Sequence, residues 1–150
     1  MYASSALLAL LAIAAPALAI PTTLARDTQS VSYDNTYDDG SQSMDTVACS
    51  DGVYGLASKW ATFADVPNFP YIAGVPAITG WDSAQCGTCW QLTYAAGDIN
   101  ESIYVTGVDV GRDGFNLSEE AMNGLTDGNA EAFGRVSATA TQVATSNCGF

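Results

Sequence analysis

Between residues 31 and 143 the apolar residues fall in short separated runs, and the spacing inside each run predicts its local form. In Val31-Ser32-Tyr33-Asp34-Asn35-Thr36-Tyr37 the apolar residues Val31, Tyr33 and Tyr37 alternate with polar ones, the period of two of a strand with one buried face. Asp38-Asp39-Gly40 then turns the chain. Residues 51–80 show no clean period. Pro67, Pro70 and Pro76 each remove a backbone donor, which argues against a regular central strand there. The segment reads as a long loop with one helical turn near Gly55–Trp60. Trp90–Tyr94 predicts a second strand closed by Gly97-Asp98, and the β-branched and aromatic run Ser102–Val110 a third. Ser118-Glu119-Glu120 places a hydroxyl at a helix N-cap and acids in its first turn. That helix should run to about Leu125 and stop at Thr126-Asp127-Gly128. Arg135–Val143 is the last strand. The chain contains no internal repeat.

The first residues follow a different rule. Leu7–Leu18 is an apolar run broken only by Pro16, and Ala17-Leu18-Ala19 supplies the small-x-small pattern of a signal-peptidase site. A helix of that length falls short of a bilayer core of about 30 Å. Met1–Ala19 therefore reads as a secretion signal, and Ile20–Ser30 as an unstructured leader or pro-segment trimmed near Arg26. Residues 31–150 form the expected single domain. No second apolar run follows, so the mature chain is expected to be secreted and soluble, without a membrane span.

Charge narrows the partners. Sixteen acidic residues face four basic ones, a net charge of -12 with no histidine. A nucleic-acid interface needs a basic stripe, and none exists. Anionic lipid is disfavoured for the same reason. Without histidine there is no Ser-His-Asp or Cys-His arrangement and no histidine metal site. No Gly-rich loop followed by Lys and Ser/Thr is present for nucleotide phosphates. No cofactor or metal is expected. Carboxylate acid–base work stays open, because Asp82, Asp109 and Asp113 lie beside glycines and aromatics.

Four cysteines remain, Cys49, Cys86, Cys89 and Cys148. Cys86-Gly87-Thr88-Cys89 can be a zinc half-site, a redox pair, or two anchor points for separate long-range disulfides. Zinc would need a second close pair, and Cys49 and Cys148 are solitary. No Lys or Arg lies near in sequence to activate a thiolate. Secretion favours the anchor reading, in which each bridge adds roughly 4 kcal/mol by chain entropy.

Sugar chemistry can be argued from residues. Sugars present apolar C–H faces and a rim of hydroxyls, so their sites combine aromatic faces with carboxylate and amide acceptors. Trp81-Asp82 offers this pairing. Val108–Asn116 offers it again: Gly111 and Gly114 permit a tight turn after a strand, lifting Asp109, Arg112 and Asn116 to a common rim. Core packing beside the disulfides competes for Trp81 and more strongly for Trp90. A structural brace to Arg112 competes for Asp109. Asn100-Glu101-Ser102 and Asn116-Leu117-Ser118 are also glycosylation sequons. An exposed hairpin suits a glycan on Asn100, whereas one on Asn116 would compete with ligand.

Val47–Gly52, Gly80–Ser83 through Cys86–Trp90, Gly114–Ser118, Ala121–Asn123, Gly134–Val136 and Ser146–Gly149 resemble the cerato-platanin family of small secreted fungal proteins. The match covers Val31–Phe150 in order. It departs at Lys59-Trp60, where Lys-Gly-Tyr is usual, and in the hairpin Asp98–Ile103, which carries two extra polar residues. The resemblance implies a mainly β fold, a six-stranded double-psi β-barrel with one or two short helices. It implies disulfides Cys49–Cys86 and Cys89–Cys148, and a ligand-contacting aspartate at Asp109. It further implies a non-hydrolytic protein that binds chitin or N-acetylglucosamine oligomers, with cellulose as a second polymer that some members loosen without cutting. Self-assembly and perception by a plant surface receptor as an elicitor complete that picture. A weak endoglucanase-like or expansin-like enzyme and a surface-active coat protein are the alternatives.

Overall fold

The computed structural model describes residues 28–150; the expected signal and nearly all of the expected leader lie outside the described residues. Six strands close into a barrel: β1 Thr28–Tyr33, β2 Ile72–Val75, β3 Cys89–Ala96, β4 Ile99–Val110, β5 Phe115–Leu117 and β6 Arg135–Val143, in the order β1-β5-β2-β4-β3-β6. Two seams are parallel, β1 with β5 and β2 with β4, and the other four antiparallel. Two short helices follow β5, α1 Glu119–Thr126 and α2 Ala130–Phe133. The mainly β barrel with two helices and two disulfides is the expected architecture.

The two-residue turn at Gly97-Asp98 sets the β3–β4 register, from Ala96 opposite Ile99 to Cys89 opposite Thr106. That register turns Leu92, Ile103, Val105 and Val108 into one buried core with Val31, Ile72, Phe115 and Leu117. Burying each such side chain stabilises by about 1.5–3 kcal/mol. Helix α1 begins where the Ser118 hydroxyl accepts from the Ala121 N–H at 3.1 Å. The Asp38 carboxylate, from a distant turn, accepts from the Glu119 and Glu120 N–H groups at 2.7 and 3.0 Å. An acceptor from elsewhere in the chain thus satisfies donors that a helix start leaves open. The helix ends at Asp127, left-handed at φ 52°.

Three expectations need correcting. Strand β1 starts at Thr28 and ends at Tyr33, so Thr28–Ser30 belong to the barrel rather than the leader, and Tyr37 sits in a 3-10 turn, Asn35–Asp38. The Pro-rich segment does hold a central strand. In β2 all four residues are buried, between β4 and β5. Its prolines only bracket it: Pro70 lies two residues before β2 and Pro76 directly after, outside the ladder. Phe115–Leu117 forms a further strand, where no element was expected. Near Gly55–Trp60 a single turn forms, with the Lys59 and Trp60 N–H groups both donating to the Leu56 carbonyl.

The disulfides pair Cys49 with Cys86 and Cys89 with Cys148. The Cys-x-x-Cys motif is therefore two anchors of different staples.

A candidate sugar-binding hollow and a clamped aromatic tip

Strand β4 delivers Asp109 to the barrel end, where the protein itself uses its carboxylate. Oδ2 accepts from the Tyr37 hydroxyl at 3.0 Å; Oδ1 accepts from the Ala48 N–H at 3.0 Å and the Val110 N–H at 2.8 Å. Its partners are thus Tyr37 and the segment leading to Cys49, not Arg112. Burial first, then the Asp109 charge and hydrogen bond, push the Tyr37 phenol far above its ordinary range.

Beyond Asp109 the chain turns through Gly111–Gly114. At Gly114, φ is 115° and a Cβ would lie 2.1 Å from the Ser30 carbonyl oxygen, so only glycine lets this turn sit against β1. The turn and β5 border a shallow hollow of about 240 Å³ lined by Ser32, Val110, Arg112, Asp113, Asn116 and Arg135 with Gly114. Asn116 Oδ1 accepts from the Ser32 hydroxyl at 3.0 Å. Arg135 donates to the Ser30 hydroxyl at 2.6 Å and to the Asp113 carbonyl at 3.3 Å. Two of the chain's four basic residues meet here. Arg112 and Asn116 come together as expected, while Asp109 is not among the residues lining the hollow. Sequence reasoning missed Ser32 and Arg135. Each faces the other across the β1–β6 seam, a pairing between distant segments that leaves no local signal.

Trp81 and Asp82 are elsewhere. The Trp81 indole N–H donates to Asp51 Oδ1, and Asp82 Oδ1 accepts from the Tyr54 N–H, both at 2.7 Å. Trp81 is 64 % exposed, so it does not pack into the core. Trp90 does lean on the core, edge to face with Phe115 at 5.5 Å. Among the described residues no group of three or more His, Cys, Asp or Glu is placed to hold a metal ion, and no helix is long and apolar enough to cross a membrane.

The cerato-platanin family model matches residues 29–150. The chain belongs to the cerato-platanin family. It is 47% identical over 120 residues to cerato-platanin of Ceratocystis fimbriata f. sp. platani, covering 79% of this chain and 85% of that one. It is 46% identical over 139 residues to allergen Asp f 15 of Aspergillus fumigatus, covering 91% and 87%. The crystal structure of cerato-platanin 2 from M. perniciosa superposes with a TM-score of 0.80 at 40% identity, covering 83% of this chain and 100% of that one. The solution structure of the fungal elicitor cerato-platanin gives 0.71 at 45% identity, covering 79% and 95%.

Proposed function

We propose that this cerato-platanin is a secreted, non-catalytic carbohydrate-binding protein of the fungal wall, taking chitin-type N-acetylglucosamine oligomers at the Arg112–Asn116 hollow. The single observation behind this reading is the lining: an amide, two guanidinium groups, a carboxylate and a hydroxyl around one concavity. Donors and acceptors so mixed suit a neutral, hydroxyl-rich ligand with acetamido groups. The hollow is smaller than the roughly 300–1,000 Å³ of drug-sized pockets, so it suits one ring of a longer chain. Glycoside hydrolysis needs two carboxyls flanking the bond. One carboxylate, Asp113, lines the hollow, and Asp109 is engaged by three protein donors. That supports binding without cleavage. One relative is described as a fungal elicitor; we extend the elicitor role to this chain, with plants as its target. Loosening of wall polymers without cutting belongs to the same reading.

Calorimetric titration with soluble N-acetylglucosamine oligomers tests it. Arg112→Gln and Asn116→Ala should each weaken binding by about tenfold through lost polar contacts, with no reducing ends released. Equal affinity in wild type and both variants would move the site elsewhere, and steady product release abolished by Asp113→Ala would make the protein an enzyme.

A further inference from the structure

Among the described residues, three of the five exposed large apolar side chains share one tip: Val53 at 85 %, Tyr54 at 50 % and Trp81 at 64 %. The hollow uses none of them. Two of the three are tied down. Asp51 holds the Trp81 indole, and Asp82 holds the Tyr54 backbone, so each loop clamps the other through one carboxylate. Asp82 is left-handed at φ 55°, uncommon for any residue but glycine. Opposite it Gly52 has φ 101°, and a Cβ there would lie 2.5 Å from the Asp82 carboxylate. The Cys49–Cys86 bridge ties the two loops just behind the tip. Strain and staple are thus spent on side chains that add nothing to the core. Backbone strain persists where function uses it, and clustered exposed apolar surface marks an interaction site.

The chemistry around the tip selects the occupant. The one donor of Trp81 is consumed by Asp51, which leaves its ring faces. Asp51 sits at the edge of that ring, and Asp82 follows Trp81 in the chain. A second copy docking tip to tip would set these acids against their own counterparts in a chain of net charge -12, and anionic lipid would be repelled likewise. A neutral polysaccharide meets neither penalty. Its rings offer C–H faces to the aromatics, and its hydroxyls reach the second oxygen of each carboxylate. Side chains this exposed project outward rather than line a cleft, which suits an extended polymer face better than one soluble strand. The geometry points to a second polysaccharide contact at Val53, Tyr54 and Trp81 that takes the surface of insoluble chitin-type polymer, separate from the hollow. This inference rests on the carbohydrate reading of the hollow.

The test uses chitin powder for depletion from solution, a soluble N-acetylglucosamine hexamer for calorimetry, and sedimentation for self-association. Trp81→Ala and Tyr54→Ala should each lower retention on powder by about tenfold with hexamer affinity unchanged. Tyr54→Ala keeps the backbone bond to Asp82, so it reports on the ring even if Trp81→Ala disturbs the loop. Arg112→Gln should do the reverse, weakening hexamer and sparing much of the powder retention. Unchanged powder retention in both tip variants overturns the inference. Equal losses on powder and hexamer would merge the two contacts into one and overturn it as well. So would self-association in the wild type that disappears in Trp81→Ala. Wild type that binds powder but not hexamer would refute the hollow while sparing the tip.

Discussion

The hollow and the tip are built by opposite means from one acidic chain. The hollow is concave and polar and collects two arginines. Its walls are β1, β5, the start of β6 and the turn after β4, so strand register positions Ser32, Asn116 and Arg135 together. The tip is exposed and aromatic, bordered by acids, and has no regular secondary structure. A disulfide and two side-chain clamps hold it instead. Regular pairing gives the first site its shape, whereas cross-links must substitute for pairing in the second. The two should therefore fail under different insults.

The largest separation is expected from removing the Cys49–Cys86 bridge. A staple between residues 37 apart contributes about 4 kcal/mol by chain entropy. The Cys49→Ala/Cys86→Ala protein should melt well below wild type, and amide exchange should rise first in residues 50–57 and 81–88. Protection in β1, β5 and β6 should persist longest. Uniform loss across both regions would mean that the staple supports the barrel as much as the tip.

Asp109 comes next, because it holds both Val110, which lines the hollow, and the segment leading to Cys49. Asp109→Ala strips the partners from the Tyr37 hydroxyl and the Ala48 N–H, which should cost about 3 kcal/mol, read as a lower melting temperature. Oligomer affinity should fall less than in Arg112→Gln, since Asp109 acts by positioning. A large affinity loss with unchanged stability would instead make Asp109 a direct contact.

A smaller effect concerns alkaline pH. Tyr37 keeps its proton in the fold far above the ordinary value of 10.0, through burial and then through Asp109. The unfolded chain releases that proton first. The stability supplied is complete below pH 10.0 and declines as pH rises beyond it. Melting temperature measured upward from pH 9 should drop above about 10, and Tyr37→Phe should flatten part of that drop.

Much of this was legible wherever one face of an element meets solvent. β3, β4 and β6 show alternation or β-branched runs, and α1 announces itself through Ser118 and its two acids. Strand β2 was hidden because Ile72-Ala73-Gly74-Val75 is buried throughout, which erases the alternation, and because its flanking prolines read as breakers. Strand β5 has three residues, too few for any period. Tyr37 fitted the alternation of Val31 and Tyr33 by coincidence: its ring is buried through a 3-10 turn, not a pleat. At the sites, the turn glycines exposed Arg112 and Asn116, and adjacency exposed Trp81-Asp82. Their partners Arg135, Ser32, Asp51 and Tyr54 arrive through tertiary pairing, which no single segment encodes.

The arrangement of the staples also dictates a sequence of events in time. Cys86 and Cys89 are near neighbours in the chain yet must choose different mates. During synthesis both become available to Cys49 together, and only the first is correct. Cys148 follows the last strand, so the correct mate of Cys89 emerges after every strand has been made. Until then Cys89 is an unclaimed thiol beside a bond it can attack. Oxidation of this protein therefore carries an intrinsic hazard of thiol shuffling. The ladder bonds that set Cys89 opposite Val143, five residues from Cys148, bring the last pair within reach and end the exchange.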